Sequence, residues 1–132
     1  KPDLAIAVDV GVAYDVPGMT SEKNEGKLGD GPLAILMDAT SIAHDGLRKH
    51  IKDVAEHHNI PVQWATTPGG GTDAGSIHVA NEGIPTITIG VPLRYMHSNV
   101  SVLNIDDYTN SVRLITEIVR SLNDDSYQAL MW

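Results

Sequence analysis

The chain has 132 residues, the size of one ordinary domain, and such a chain can bury roughly two thirds of its unfolded surface. Its 17 acidic and 9 basic side chains give a net charge of −8, which disfavours nucleic acids and anionic membranes as partners. The chain has no cysteine, which excludes disulfides, a thiolate nucleophile and cysteine-ligated metal sites. No apolar run approaches the ~20 residues that cross a bilayer.

The beginning of the sequence bears on localisation. Pro2 and Asp3 lead straight into an apolar segment, so no secretory signal peptide is visible. The lack of cysteine fits a reducing compartment. We therefore predict a cytoplasmic protein. Because position 1 is a lysine rather than a methionine, we also expect the chain to be part of a longer one.

Two short apolar runs, each followed by a carboxylate, predict the first two strands. Residues 4–8 precede Asp9, and residues 33–37 precede Asp38. Continuous apolar runs of this length are typical of strands that are buried on both faces of a helix-covered sheet. The glycine-rich residues 15–32 between them predict a long loop.

The rest of the chain alternates helical and extended patterns. Apolar residues recur at helical spacing over residues 45–58, a third strand is predicted over residues 62–66, and a short helix over residues 74–82. The β-branched residues 85–91 predict a fourth strand. A last helix is predicted from Asp106 or Asp107, with a buried stripe formed by Val112, Ile115, Val119 and Leu122.

Strands that alternate with helices predict an α/β fold with a largely parallel sheet. In such sheets, ligands bind beyond the carboxyl ends of the strands. Asp9, Asp38 and the loops at residues 69–73 and 92–98 each follow a predicted strand. If all four strands run parallel, these groups should gather at one edge of the sheet.

Several single residues are candidates for chemistry. Asp9 could hold a hard or borderline cation, or it could be a turn residue that binds loop amides. Asp15 and Asp38 have the same two interpretations. His97 could be a metal ligand or a general base, although a lone loop histidine is usually only solvated. Arg94 could pair with a carboxylate or be a surface charge.

A glycine-rich loop reads Gly-Gly-Gly-Thr-Asp-Ala-Gly over residues 69–75. It lacks the lysine of a Walker phosphate loop, and its glycine spacing is not that of a dinucleotide-binding loop. Three consecutive glycines indicate that the backbone passes close to a ligand, a strand or the shell of a metal site. Asp73 could support a metal-bound group, and it could equally cap the following helix.

Six motifs in a fixed order carry a family resemblance. They are Ala-Val-Asp-Val at residues 7–10, Ala-Tyr-Asp-Val-Pro-Gly at residues 13–18, Gly-Pro at residues 31–32, the glycine loop and its continuation at residues 69–78, Gly-Ile-Pro-Thr at residues 83–86 and Arg-Tyr-Met-His-Ser at residues 94–98. This series resembles the C-terminal part of the catalytic domain of the M42 family of metalloaminopeptidases. These are glutamyl or deblocking aminopeptidases, sometimes labelled endoglucanases. The resemblance covers about residues 3–123.

The resemblance implies a three-layer α/β sandwich of the zinc-aminopeptidase type, incomplete in this chain, and a site for two divalent metal ions, zinc or cobalt. Asp9 matches a terminal ligand of one ion and His97 a terminal ligand of the other, with Asp15 the nearest rival to Asp9. The substrate-binding or supporting positions that it implies are Gly70, Gly71, Thr72, Asp73 and Arg94.

The resemblance also implies that much of the site lies outside this chain. The family's first histidine ligand, its bridging aspartate and its Glu-Glu pair, which includes the general base, precede the matched region. No Glu-Glu pair occurs in this sequence. Residues 1–132 are therefore expected to be the C-terminal portion of a catalytic domain, without the inserted small β-domain and without a catalytic residue. The chain alone is predicted to be inactive.

For the intact protein, the resemblance implies an aminopeptidase that acts on peptides, needs the N-terminal part of the same domain and forms a homo-oligomer, a dodecamer. Two alternatives remain open. One is a non-catalytic scaffold or assembly fragment that a second chain completes. The other is a carbohydrate hydrolase, which needs two facing carboxylates such as Asp9 and Asp15. The low aromatic content of 5% disfavours this last class.

Overall fold

The computed structural model describes residues 2–19 and 26–131. The predicted loop over residues 15–32 includes residues 20–25, which lie outside the described residues. The elements in chain order are β1 (Ala5–Val12), β2 (Leu33–Asp38), α1 (Asp45–His57), β3 (Gln63–Thr67), α2 (Ala74–Ile77), β4 (Thr86–Leu93), α3 (Ile105–Ser121) and α4 (Asp124–Leu130). None of the helices described here has the length and apolar character that crossing a membrane requires.

The four strands form one open sheet in the order β1-β4-β2-β3. β1 runs parallel to β4, and β2 runs parallel to β3, so the predicted α/β fold with a mostly parallel sheet is confirmed. The central pair, β2 and β4, is antiparallel. The strands β1 and β4 therefore end at one end of the sheet, and β2 and β3 end at the other. The expectation of one common edge for all four strand ends is wrong.

One face of the sheet is covered by helices. Because side chains alternate along a strand, Ile87 and Ile89 of β4 point to the same face and are 1% exposed. They pack in one cluster with side chains of α1 and α3, namely Leu47, Ile51, Leu114 and Ile118. Each such burial stabilises the fold by about 1.5–3 kcal/mol.

The predicted stripe of α3 is only half correct. Ile115 and Leu122 pack against the core, but Val112 and Val119 are about half exposed, and Leu114 and Ile118 are fully buried instead. The buried residues 107, 111, 114 and 118 form one side of the helix. Asp107 in its first turn accepts hydrogen bonds from the amides of Gly29 (2.7 Å) and Gly31 (2.8 Å).

Three other elements depart from the sequence prediction. β1, an edge strand, continues beyond Asp9 to Val12, and its residues 8–10 are exposed. The short helix ends at Ile77 rather than at residue 82. The unassigned tail forms α4, which begins with a capping box between Asn123 and Ser126.

Candidate metal and substrate site

A cavity of about 180 Å³ lies on the face of the sheet that α1, α3 and α4 leave free. Its wall includes Asp9 of β1, Ile35 of β2 and His97, which follows β4. Asp9 is in register with Gly90 and Ile35 with Thr88, and both β4 positions alternate with the helix-facing Ile87 and Ile89. The remaining lining residues are Val10, Gly11, Val12, Asp38, Thr67, Gly70, Gly71, Thr72 and Met96.

Asp9 projects from the middle of β1 rather than from its end. Its neighbour on β4 is Gly90, where an added Cβ would lie 3.2 Å from the amide nitrogen of Gly11. Among the described residues, the Asp9 carboxylate accepts one hydrogen bond, from the Val10 amide (2.7 Å). Most of its lone pairs are therefore available to a cation.

His97 lies in a tight turn after β4. Arg94 and Val102 exchange two backbone hydrogen bonds of 2.9 and 3.2 Å and close the turn. Tyr95 and His97 both adopt the left-handed backbone conformation, with φ of 60° and 63°. Such a conformation is costly for residues other than glycine, and it persists mainly where surrounding contacts and function require it.

Arg94 anchors this turn from outside the cavity. Its Nε donates to Asp15 Oδ1 (3.0 Å), and its Nη2 donates to Asp15 Oδ2. The hydrogen bond from Arg94 outweighs burial and lowers the pKa of Asp15 below its ordinary value. The amide of Leu28 also donates to Asp15 Oδ2 (3.3 Å). Asp15 is thus engaged on both oxygens and is not part of the cavity wall, whereas its rival Asp9 is.

The glycine loop forms another part of the wall. Gly70, Gly71 and Thr72 line the cavity, and the substrate-binding role expected for them stays a prediction. Asp73 is exposed, stands at the N-terminus of α2 and makes no capping hydrogen bond. Of the predicted supporting residues, Asp73 and Arg94 are therefore not among the residues that line this cavity.

Sequence reasoning gave little weight to Asp38, which also lines the cavity and is 6% exposed. Burial acts to raise the pKa of this carboxyl, but hydrogen bonds from Thr40, Thr72 and Ser41 outweigh it and lower the pKa to about 2. The signal in the sequence is the Asp-x-Thr-Ser run, because an aspartate often binds backbone amides two and three residues later.

The donor set tests whether the cavity suits a metal. A carboxylate and an imidazole are both ligands of zinc and cobalt, so Asp9 and His97 fit this part of the expectation. Residues 2–19 and 26–131 contain no group of three or more His, Asp or Glu side chains that could hold a metal ion. A zinc site normally has four ligands. The described residues alone therefore do not provide a complete zinc site.

Solved aminopeptidases have this fold. A TET aminopeptidase from a marine sediment thaumarchaeote superposes with a TM-score of 0.92 and 36% identity, over 98% of this chain and 36% of that chain. The Pyrococcus horikoshii TET1 peptidase, which can assemble into a tetrahedron or a large octahedral shell, superposes with a TM-score of 0.71 and 28% identity. The match covers 89% of this chain and 33% of that one.

The sequence relatives give the family. The profile of the M42 glutamyl aminopeptidases matches residues 1–114, and the chain belongs to this family. The glutamyl aminopeptidase of Lactococcus lactis is 38% identical over 125 residues, which are 95% of this chain and 34% of that protein. The chain thus spans about a third of the length of this relative.

Proposed function

We propose that residues 1–132 are the C-terminal portion of the catalytic domain of a metal-dependent aminopeptidase that removes N-terminal residues from peptides. The observation that carries the proposal is that Asp9 and His97 line one cavity in a chain of the M42 family. They come from β1 and from the turn after β4, 88 positions apart in the sequence, and they match two ligand positions in the family's motifs.

In this proposal Asp9 holds one divalent ion and His97 the other, the pair being zinc or cobalt. When bound, two such ions supply an ionised water and polarise the peptide carbonyl. Asp9 and His97 transfer no proton themselves. The Asp15–Arg94 pair and the left-handed backbone at Tyr95 and His97 belong to the segment that carries His97, and the wall formed by residues 70–72 bounds the space for substrate.

The remaining ligands and the general-base glutamate are assigned to the N-terminal part of the same domain, outside this chain. Two observations support this division. The chain spans about a third of its curated relative, and its described residues offer two donors to the cavity rather than a full set. The open face of the sheet, where Asp9 and His97 lie, is then the face that the missing part completes.

We further propose that the intact protein acts in the cytoplasm as a homo-oligomer, a dodecamer. The support for assembly is the likeness to the P. horikoshii TET1 peptidase, which forms closed shells. Exposed apolar side chains before and within α3, namely Val100, Leu103, Ile105 and Tyr108, are compatible with a buried interface in such an assembly.

The test compares peptides with a free and an acetylated N-terminus. The full-length protein that contains this chain should cleave the free peptide and leave the acetylated one intact. Treatment with EDTA should abolish cleavage, and added zinc or cobalt should restore it. The isolated 132-residue chain should show no turnover with either peptide, because it lacks the base and the other ligands.

Each alternative gives a different result. A non-catalytic scaffold leaves the full-length protein inactive at every metal concentration. Equal cleavage of the free and the acetylated peptide contradicts an aminopeptidase, and turnover by the isolated chain contradicts the division of the site. A carbohydrate hydrolase based on Asp9 and Asp15 is disfavoured, because Asp15 is held by Arg94 outside the cavity wall.

A further inference from the structure

A buried carboxylate in the cavity wall has no part in the proposed metal site. Asp38 Oδ1 accepts hydrogen bonds from the Thr40 amide (2.7 Å), the Thr40 hydroxyl (2.8 Å) and the Ser41 amide (2.7 Å). Asp38 Oδ2 accepts one from the Thr72 hydroxyl (2.8 Å). Four short hydrogen bonds use most of the acceptor capacity of the carboxylate, which makes it an anchor for its neighbours rather than a free ligand.

The direction of the hydrogen bonds follows from the chemistry. An ionised carboxylate can only accept hydrogen bonds, so the Thr72 hydroxyl donates its single hydrogen bond to Asp38. Thr72 must then accept from the Thr88 hydroxyl, 2.9 Å away. Thr88 lies on β4, two positions before Gly90, the neighbour of Asp9. The chain Thr88–Thr72–Asp38 thus joins β4, the glycine loop and the end of β2.

The position of Thr40, which binds Asp38, explains why residues 71 and 75 are glycines. A Cβ at Gly71 would lie 2.8 Å from Thr40 Cγ2, and a Cβ at Gly75 would lie 2.2 Å from Thr40 Oγ1. The Ala39 amide also donates to the carbonyl oxygen of Gly70 (2.8 Å). The segment after β2 therefore packs against the loop at residues 70–75, and the glycines make that close approach possible.

We propose that Asp38 is a positioning residue for substrate binding. Through the hydroxyls of Thr40 and Thr72 it fixes the wall at residues 70–72 in the cavity that contains Asp9 and His97. Its effect is on how tightly the cavity holds a peptide, not on metal binding. This inference rests on the proposed aminopeptidase function and adds residues that determine its substrate affinity.

The test uses two variants of Thr72 in the full-length protein. Thr72→Val removes the hydroxyl with little change in volume, and Thr72→Ser keeps the hydroxyl as the matched control. Loss of a hydrogen bond to a charged group weakens the docking of the loop by roughly a factor of ten. Thr72→Val should therefore raise KM about tenfold, with kcat and bound metal close to wild type. Thr72→Ser, which keeps the hydroxyl, should raise KM less than Thr72→Val does.

Asp38→Asn separates positioning from ligation. It should raise KM in the same direction as Thr72→Val and leave the metal content unchanged. Loss of bound metal in Asp38→Asn would show that Asp38 is a ligand and would overturn the proposal. Equal KM values for Thr72→Val and Thr72→Ser would also overturn it.

A second measurement does not depend on activity. The Ala39 amide, which donates to Gly70, reports whether the loop is docked. Hydrogen exchange at Ala39 in the full-length protein should be faster in Thr72→Val than in Thr72→Ser. Equal exchange rates overturn the positioning role. An inactive wild-type protein with the expected exchange difference refutes the proposed function and leaves the anchoring of the loop in place.

Discussion

The two faces of the sheet differ in the side chains that they present, and β4 contributes side chains to both. Ile87 and Ile89 point to the helices and are 1% exposed in an apolar cluster. Thr88, between them, points to the other face and binds Thr72 through its hydroxyl. The helix-covered face is held by a large apolar cluster. The cavity face combines a small apolar cluster of Leu33, Ile35 and Ala65 with hydrogen bonds to Asp38, and it leaves Asp9 exposed.

This difference separates stability from function. The helix-covered face is closed by α1, α3 and α4, which belong to the same chain. The cavity face brings Asp9 and His97 together without enough donors for a metal site among the described residues. Substitutions of the apolar cluster on the first face should therefore change the free energy of unfolding most, and substitutions of Asp9 and His97 on the second should change binding.

The largest effect on folding is expected at the centre of the helix-covered face. Leu114→Ala should lower the free energy of unfolding by about 2–5 kcal/mol, because it leaves a cavity at a fully buried position. Urea denaturation of the isolated chain measures this. Val112→Ala, at a half-exposed position of the same helix, is the matched control and should stay within about 0.5 kcal/mol of wild type. Equal losses in both variants would contradict the assigned rotation of α3.

A smaller effect, on the cavity face, depends on pH. The pKa of Asp38 is lowered to about 2 from 3.8, so its contribution to stability is present above about pH 4 and is lost as the pH falls towards 2. Between about pH 6 and about pH 3, this loss amounts to roughly 1 kcal/mol. The stability difference between wild type and Asp38→Asn should shrink by that amount in urea titrations. A difference that does not change with pH would contradict the role of the Asp38 hydrogen bonds.

The sequence predicts elements that depend on local pattern. The helical spacing of Leu47, Ile51 and Val54 places α1 correctly to within a residue, and the apolar run before Asp38 places β2. The burial of Asp107 in α3 depends instead on its hydrogen bonds with the amides of Gly29 and Gly31, nearly eighty residues away. The spacing of apolar residues within the helix does not predict a buried carboxylate.

The candidate site shows the same limit. Because β2 and β4 are antiparallel, their carboxyl ends lie at opposite ends of the sheet. The rule that ligands bind beyond the carboxyl ends of parallel strands therefore does not predict that Asp9 and Asp38 lie together. They line one cavity because both lie on the face opposite the helices. The choice between Asp9 and Asp15 as a metal ligand likewise depends on tertiary contacts, because Arg94 donates a hydrogen bond to Asp15.

The central claim is that Asp9 and His97 hold metal, and metal content tests it most directly. The experiment uses the full-length protein and its Asp9→Ala, His97→Ala and Asp15→Asn variants. Each is purified, dialysed against the same concentration of zinc or cobalt, and analysed for bound metal per chain. We expect about two ions in wild type and in Asp15→Asn, and a loss of roughly one ion in each of the other two. Unchanged metal content in Asp9→Ala and His97→Ala would contradict the claim.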